Sequence, residues 1–287
     1  MNEHARTLRQ LMASEDPVMA PGAFSPIVGR LIAEAGFKAC YVTGAGVAGG
    51  LYGQPDVGLV TMTELVDAAR RTVECSGLPV ICDADTGFGG VLNVSRTVRE
   101  LEAAGVAALH IEDQEFPRRC GFLGGHVLSS KEDMGARLKA ALDARRHSET
   151  IIIARTEMFG AQSLDETIDR ACSYAELGVD LIFCNGVTTV EHAERLARAI
   201  PAPQLYNVST SGLSPHLSEV HLRELGYKLV IYPAQSLFLA LRSVQEMLSS
   251  LKKDGTLEPW LDRMIDFQEW KRVSGILEAD ETERRYL

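Results

Sequence analysis

The chain has 287 residues, with 29 Lys and Arg against 39 Asp and Glu, so its formal net charge is −10. It has no basic run, which argues against a nucleic acid or an anionic membrane as partner. It also has no run of eighteen apolar residues that could span a bilayer. The N-terminal region lacks the apolar core of a signal peptide, and the six cysteines form no CxxC pair. We therefore expect a cytoplasmic protein with reduced cysteines.

Short apolar runs alternate with helix-like segments along most of the chain. Runs of four to six apolar residues bounded by turn formers are typical of strands buried on both faces. Capping residues such as Ser25, followed by Pro26, mark where helices begin. We predict strands at residues 18–20, 38–42, 79–82, 107–111, 150–154, 179–183, 204–206 and 228–232. We predict helices at residues 3–14, 26–35, 63–75, 93–104, 130–145, 164–177, 189–199, 216–225 and 233–251.

Eight strands, each followed by a helix, predict a (β/α)8 barrel of the TIM type, which usually needs roughly 250 residues. A doubly wound open sheet is the alternative, but Gly44-Ala45-Gly46 alone is a weak glycine fingerprint. Residues 252–287 exceed what the barrel needs and carry Trp260, Phe267 and Trp270 among charges. We therefore predict a barrel over residues 1–251 and a helical C-terminal extension over residues 252–287 that makes oligomer contacts.

Polar and charged residues follow nearly every predicted strand, at the end of the barrel where active sites lie. Asp83 and Asp85 follow the third strand, and Glu112 follows the fourth. Carboxylates clustered in this way are costly unless a cation neutralises them, and a divalent metal is the simplest solution. Each residue alone could be a helix cap or a surface charge. The other residues at strand ends are Thr43, Gly44, Asp113, Arg155, Thr156, Glu157, Asn185, Asn207 and, less clearly, Tyr232.

Five sequence blocks around these strand ends resemble a known family. YVTGAG, DADTGFG, HIEDQ, RRCG and ARTE are similar, in order and spacing, to the isocitrate lyase and phosphoenolpyruvate mutase superfamily, especially its methylisocitrate lyase branch. The likeness extends from about residue 5 to residue 251, and RCG after IEDQ resembles the lyase side. It implies a (β/α)8 barrel, Mg²⁺ as cofactor with Mn²⁺ as a substitute, and a small carboxylic acid as substrate. It also implies a homotetramer whose subunits exchange the last barrel helix.

The resemblance implies roles for the charged residues. Asp85 resembles the direct metal ligand, with Asp83 and Glu112 holding the metal's waters, which is the oxygen-rich, partly hydrated site that Mg²⁺ prefers. Asp56 resembles a residue that supports the metal site. Arg155 resembles the catalytic cation that stabilises an enolate oxygen.

The resemblance also implies a substrate pocket. Tyr41 and the backbone amides of three following residues look like a cradle for a substrate carboxylate, because amides offer hydrogen-bond donors without a charge. The residues of this implied pocket are Tyr41, Thr43, Gly44, Ala45, Gly121, Phe122, Asn185 and Asn207.

Cys120 resembles the general acid on a mobile gating loop. A lone cysteine is often a small core residue, but this one lies between charges and glycines. Two neighbouring arginines should favour its anion, so we expect proton exchange near neutral pH. The flanking residues are Arg118, Arg119, Gly121, Gly124 and Gly125.

Four positions depart from the family pattern. Phe122 stands in place of a histidine and Asn185 in place of a glutamate. Glu157 replaces an aspartate, and His126 replaces a common lysine. These changes leave the metal and oxo-acid half of the pocket intact and alter its distal half. A substituted malate therefore fits this pocket better than a tricarboxylate such as methylisocitrate.

The sequence thus predicts an Mg²⁺-dependent carbon–carbon lyase. It would cleave a 2-hydroxy dicarboxylic acid, similar to methylisocitrate or a dialkylmalate, to a 2-oxo acid and a second carboxylic acid by retro-aldol chemistry. The alternative is an oxaloacetate decarboxylase or hydrolase of the same superfamily, which needs the metal but not the thiol. A phosphonomutase fits less well because Cys-Gly-Phe occupies the expected asparagine-bearing loop. A non-catalytic binding barrel has little reason to keep the acidic cluster.

Overall fold

The computed structural model describes residues 1–123 and 125–287, so Gly124, one of the glycines predicted to flank Cys120 in the gating loop, lies outside the described residues. Eight parallel strands close into a barrel in sequence order, which confirms the (β/α)8 prediction and excludes an open doubly wound sheet. The strands are β1 (Val18–Ala23), β2 (Cys40–Val42), β3 (Val80–Asp83), β4 (Ala108–Glu112), β5 (Ile151–Glu157), β6 (Leu181–Asn185), β7 (Gln204–Asn207) and β8 (Leu229–Tyr232).

The described residues contain twelve α-helices, most of which lie between consecutive strands in the chain. They are α1 (Glu3–Met12), α2 (Pro26–Glu34), α3 (Gly44–Gly46), α4 (Met62–Ser76), α5 (Val91–Ala103), α6 (Lys131–Ala144), α7 (Leu164–Ala175), α8 (Val190–Ala199), α9 (Glu219–Glu224), α10 (Gln235–Asp254), α11 (Phe267–Ser274) and α12 (Ile276–Tyr286). The chain forms two compact units, Met1–Gln235 and Ser236–Leu287. Across the described ranges, no helix combines the length and apolar character needed to cross a bilayer.

The strand residues alternate between two apolar layers, as expected for side chains that point to opposite faces of a strand. Ile81, Ile153 and Phe183 point into the barrel, where the N-terminal helix α1 adds Ala5 and Leu8. The alternate positions, including buried cysteines, pack against the surrounding helices. Cys40, Cys82 and Cys184 belong to this outer layer, which agrees with their interpretation as small core residues.

Several strands run further than the sequence predicts, and this difference positions the functional residues. We predicted that β5 ends at residue 154, but it continues through Glu157 because each added residue is paired with a neighbouring strand. Asp83, Glu112 and Asn185 are likewise the last residues of their strands. Their side chains are therefore held by the sheet, which is more rigid than the turns in which we expected them.

The segment after β2 forms a helical turn that the sequence did not predict. Residues Gly44–Gly46 are α-helical and continue into a π-helical turn at Val47–Leu51. Thr43 caps this turn, with its Oγ1 accepting a hydrogen bond from the amide of Gly46 at 3.4 Å. π-Helical turns are rare and often lie at functional sites, and this turn begins at the end of the barrel that carries the acidic cluster.

Candidate active site

The sheet register brings the polar strand ends together. Glu112 on β4 pairs with Arg155 on β5, and Glu157 on β5 pairs with Asn185 on β6. Parallel strands present their carboxyl ends at the same edge of the barrel. Residues that are far apart in the chain therefore become direct neighbours at one edge.

Arg118 lies inside the acidic cluster, although the sequence indicated only that it is nearby. Its guanidinium group is 2% exposed and forms an ion pair with Asp56. Its Nε is 2.8 Å from Glu112 Oε1, and its Nη2 is 3.2 Å from Asp85 Oδ1. Arg118 thus neutralises carboxylates from three separate segments of the chain.

Arg155 is the second cation of the cluster and enters it from β5. Its Nη2 is 3.2 Å from Glu112 Oε2 and 2.5 Å from Glu157 Oε1. Its Nη1 is 3.5 Å from Asp83 Oδ2. Arg155 is held by the strand, whereas Arg118 belongs to the loop that carries Cys120, so the two cations differ in how freely they can move.

The predicted metal ligands Asp83, Asp85 and Glu112 are all buried at this edge. Among the residues with described coordinates, no three His, Cys, Asp or Glu side chains converge as a metal-binding group. The physical reason is that the arginines occupy the space between the carboxylates. Two buried carboxylate oxygens, Asp85 Oδ1 and Glu112 Oε2, nevertheless accept no hydrogen bond, although each lies 3.2 Å from an arginine nitrogen. Buried carboxylate oxygens that lack a hydrogen bond, beside further oxygen donors, fit a hard cation such as Mg²⁺.

The carboxyl groups of the cluster differ in their electrostatic environment. Burial raises the pKa of Asp85 well above its ordinary value. Burial also acts to raise the pKa of Asp83, but the groups facing it, including His110 and the Arg155 guanidinium, hold that pKa below its usual value. Asp85 also has a positive φ of 47°, which is uncommon for a residue other than glycine. Such strained residues concentrate at functional sites.

His110 is a site residue that the sequence reasoning missed. Its Nε2 is 2.8 Å from the Tyr41 hydroxyl, and its Nδ1 is 3.5 Å from Asp83 Oδ1. Burial lowers the pKa of His110 to about 4, so the ring is neutral at physiological pH. The available signal was its position two residues before Glu112, because alternate strand residues share a face. Since His110 engages the Tyr41 hydroxyl, a direct contact between Tyr41 and substrate stays a prediction.

The predicted amide cradle lies beside the same cluster. Gly44 N donates to Asp83 Oδ2 at 3.4 Å, and a Cβ at this glycine would lie 3.0 Å from that oxygen. Thr43 is also buried, and Ala45 is half-buried. A backbone amide here already faces a carboxylate, although the binding of a substrate carboxylate by this segment stays a prediction.

Cys120 lies on a turn that packs over the cluster. Its amide donates to the carbonyl of Asp56 at 3.1 Å, and its carbonyl is 3.0 Å from His126 Nε2. Burial, reinforced by the charge of Asp56, raises the pKa of the thiol to about 11. The positive charges of Arg118 and Arg155 act to lower this pKa but do not outweigh burial. The expected proton exchange near neutral pH is therefore not supported, because Arg118 is engaged by carboxylates and Arg119 is exposed.

A chain of side-chain hydrogen bonds supports this loop. Glu157 accepts hydrogen bonds from Arg155 Nε at 2.6 Å and from Asn185 Nδ2 at 2.9 Å. Asn185 Oδ1 in turn accepts from Asn207 Nδ2 at 2.9 Å. A Cβ at Gly121 would lie 2.2 Å from Asn185 Nδ2. Only glycine therefore allows the loop to pack on the Glu157–Asn185 pair. Both residues of this pair depart from the family pattern, and they are in direct contact.

An aromatic pair covers the neighbouring part of the site. The rings of Phe122 and Phe159 meet edge to face, with their centroids 5.7 Å apart. Phe159 follows ARTE in a short 3-10 turn and was not among the predicted site residues. The pair gives the loop an apolar contact, and the expectation that this half of the substrate pocket is less polar stays a prediction.

Asp113 supports the site from behind instead of facing it. It is buried and accepts hydrogen bonds from Thr156 Oγ1 at 2.7 Å, from the amide of Glu157 at 3.1 Å and from the Tyr174 hydroxyl at 3.0 Å. Its position at a strand end made it a candidate in the sequence. The structure shows that its acceptor positions are used to hold β5.

A closed barrel whose strand ends hold buried acids, arginines and a protonated thiol has the architecture of an enzyme. The sequence profile of a family described as phosphoenolpyruvate phosphomutase matches residues 8–252. A 2,3-dimethylmalate lyase from Eubacterium barkeri is 40% identical over 286 residues, covering 100% of this chain and 99% of that protein. The chain belongs to the phosphoenolpyruvate mutase/isocitrate lyase superfamily.

Further comparisons agree with this family. A 2-methylisocitrate lyase from Aeropyrum pernix is 40% identical over 268 residues, covering 93% of this chain and 86% of that protein. Oxaloacetate acetylhydrolase in complex with 3,3-difluorooxalacetate superposes with a TM-score of 0.94 at 30% identity, covering 99% of this chain and 97% of that one. Phosphonopyruvate hydrolase in complex with oxalate and Mg²⁺ gives a TM-score of 0.89 at 26% identity, covering 99% of each chain. The chain is an enzyme with lyase activity.

Proposed function

We propose that this lyase is Mg²⁺-dependent and cleaves an alkyl-substituted 2-hydroxy dicarboxylic acid, such as a dialkylmalate, to a 2-oxo acid and a second carboxylic acid. The observation that carries the proposal is the position of Cys120, whose loop is tied to Asp56 beside the acidic cluster by a backbone hydrogen bond and by the Arg118 ion pair. The similarity to a 2,3-dimethylmalate lyase and a 2-methylisocitrate lyase supports this class of substrate.

The acidic residues Asp83, Asp85 and Glu112 would hold the metal ion. When bound, Mg²⁺ stabilises negative charge on substrate oxygens as a Lewis acid. Arg155 extends a guanidinium group toward the same carboxylates, so it adds positive charge where an enolate oxygen develops. The amides of Thr43, Gly44 and Ala45 would orient a substrate carboxylate, and Asn207 would supply a further contact.

Cleavage requires a proton at the carbon that leaves. A carboxylate of the acidic cluster accepts the proton of the substrate hydroxyl, which becomes a carbonyl as the adjacent carbon–carbon bond breaks and leaves the electron pair on the other fragment as an enolate. Cys120 donates its Sγ proton to the enolate carbon, and after product release the carboxylate gives up its proton to solvent while the thiolate regains one. A thiol that is protonated at neutral pH suits this role.

The metal assignment predicts a specific response of stability to Mg²⁺. Asp85→Ala should abolish turnover while leaving the fold intact, because removing one buried charge relaxes repulsion in the cluster. Thermal melts should show that Mg²⁺ stabilises the parent protein and has much less effect on the variant. Asp16→Ala is the control, because that carboxylate is exposed, and it should respond as the parent does. Equal responses of the parent and Asp85→Ala would contradict the assignment.

Oxaloacetate decarboxylation or hydrolysis is the second candidate, favoured by the structural similarity to oxaloacetate acetylhydrolase. Cys120→Ser separates the two, because a serine hydroxyl is a much weaker acid than a thiol. Lyase turnover of a dialkylmalate should fall by on the order of 10²-fold or more. Turnover of oxaloacetate should persist in the variant, since it does not need the thiol. The 2-oxo acid product measures lyase turnover, and the loss of oxaloacetate measures the other reaction. Lyase turnover within a few-fold of the parent would exclude Cys120 as the acid.

Phe122 should determine the choice between substrates. Each methylene buried against its ring is worth roughly 0.8 kcal/mol, and apolar pockets discriminate by about 1–3 kcal/mol per methylene. A third carboxylate near the Phe122–Phe159 pair would be desolvated without a cation. The parent should therefore prefer a dialkylmalate to methylisocitrate, and Phe122→His should shift kcat/KM partly toward methylisocitrate.

The measurement is kcat/KM for both substrates on each protein. Phe116→His serves as the control, because it makes the same substitution at a phenylalanine that is 67% exposed. It should leave the ratio of the two kcat/KM values unchanged. A parent enzyme that prefers methylisocitrate would show that Phe122 only packs the loop.

We also propose that residues 252–287 make oligomer contacts in a homotetramer and that α10, the last barrel helix, is exchanged between subunits. The Ser236–Leu287 unit supports this proposal, because large apolar side chains of α10 are exposed in it, and such patches often mark interfaces. These side chains include Phe238, Leu239, Leu241, Val244 and Leu248. Light scattering should give the mass of four chains, and a monomer at micromolar concentration would contradict the proposal.

A further inference from the structure

Arg118 connects the catalytic loop to the carboxylates that would bind the metal. Its three acidic partners come from different segments: Asp56 precedes α4, Asp85 follows β3, and Glu112 ends β4. Arg118 is 2% exposed and precedes Cys120 by two residues. The position of the thiol is therefore tied to the ion pairs of this one side chain.

The contacts of Arg118 use the oxygens that a cation would need. Its Nε donates to Glu112 Oε1 at 2.8 Å, and its Nη2 is 3.2 Å from Asp85 Oδ1. A cation bound to the same carboxylates would lie within a few ångströms of the guanidinium group. Like charges at such a distance repel strongly in a buried site, so the two cations oppose each other.

Arg155 is not the arginine that we expect to move when a cation binds. It lies within β5, pairs across the sheet with β4 and β6, and has Glu157 as a close counter-charge at 2.5 Å. Arg118 belongs to the segment between β4 and α6 instead. Of the two arginines in the described cluster, it is the one whose movement does not require the barrel to deform.

We propose that Arg118 competes with the divalent cation for Asp85 and Glu112. Binding of the cation then loosens the catalytic loop, and an anionic substrate allows the loop to close again. This inference rests on the proposed metal site. The negative charges of a dicarboxylate substrate would let the cation and Arg118 occupy the cluster together. Cys120 is then delivered only when both metal and substrate are present, since coupling between two sites is reciprocal.

Calorimetric titration with Mg²⁺ alone tests the competition. Arg118→Gln should raise Mg²⁺ affinity tenfold or more, whereas Arg118→Lys, which keeps the charge, should remain closer to the parent. Arg119→Gln is the matched control, because it removes the same charge from an exposed neighbouring arginine, and it should change the affinity less than about twofold. Unchanged or weaker Mg²⁺ binding by Arg118→Gln would overturn the proposal.

Limited trypsin digestion of the parent tests the loop without any substitution. Cleavage after Arg119 should become faster when Mg²⁺ is added alone, because the loop opens more often. It should become slower when Mg²⁺ is added with oxalate, a small dicarboxylate. Slower cleavage with Mg²⁺ alone would overturn the proposal, since metal and closed loop would then cooperate.

The two kinds of failure are distinguishable. If the parent binds Mg²⁺ and Asp85→Ala does not, the metal site is supported. The Mg²⁺ affinity of Arg118→Gln and the rate of loop cleavage then decide whether Arg118 competes with the cation. If neither the parent nor Arg118→Gln binds Mg²⁺, the metal site fails and the competition fails with it. If Arg119→Gln changes the Mg²⁺ affinity as much as Arg118→Gln does, the effect comes from net charge alone. That result would overturn the specific role of Arg118.

Discussion

The active site depends on a buried cluster of opposite charges in which carboxylates outnumber guanidinium groups. Removing a guanidinium group from such a cluster leaves carboxylates without a counter-charge, which is far more costly than losing an exposed pair. The barrel limits this cost by fixing most of the charges at strand ends. The network contains two guanidinium groups and five carboxylates: Arg118, Arg155, Asp56, Asp83, Asp85, Glu112 and Glu157.

The layers beneath and behind this cluster hold it in place. Inside the barrel, the neutral ring of His110 shares a hydrogen bond with the Tyr41 hydroxyl, and Phe183 packs against that ring edge on. Behind the barrel wall, Asp113 anchors β5 through a hydroxyl, an amide and a phenol. A buried carboxylate that is satisfied in this way rigidifies a site. The charged residues can therefore act from fixed positions.

The loop that carries Cys120 is held by three kinds of contact that differ in strength. Arg118 forms ion pairs with the acidic cluster, the backbone at Gly121 packs on the Glu157–Asn185 pair, and Phe122 meets Phe159. The thiol is protonated because burial outweighs the nearby positive charge. In the proposed mechanism, proton donation and substrate selection therefore belong to this one short segment, whereas the carboxylates that would hold the metal and the arginine that would stabilise the enolate belong to the barrel.

The sequence by itself determined the barrel, because eight apolar runs each followed by a helix have few other solutions. It also identified the acids at the ends of β3 and β4 and the cysteine between charges and glycines. Only the tertiary structure decided that Arg118 lies among those acids, that the Cys120 thiol keeps its proton, and that Glu157 and Asn185 are partners. Those outcomes depend on burial and on contacts between segments distant in the chain, including residues 56 and 118. The local spacing of residues does not indicate which distant charges will meet. Since charge pairing and desolvation set the pKa of each group, the pKa values could not be predicted from the sequence either.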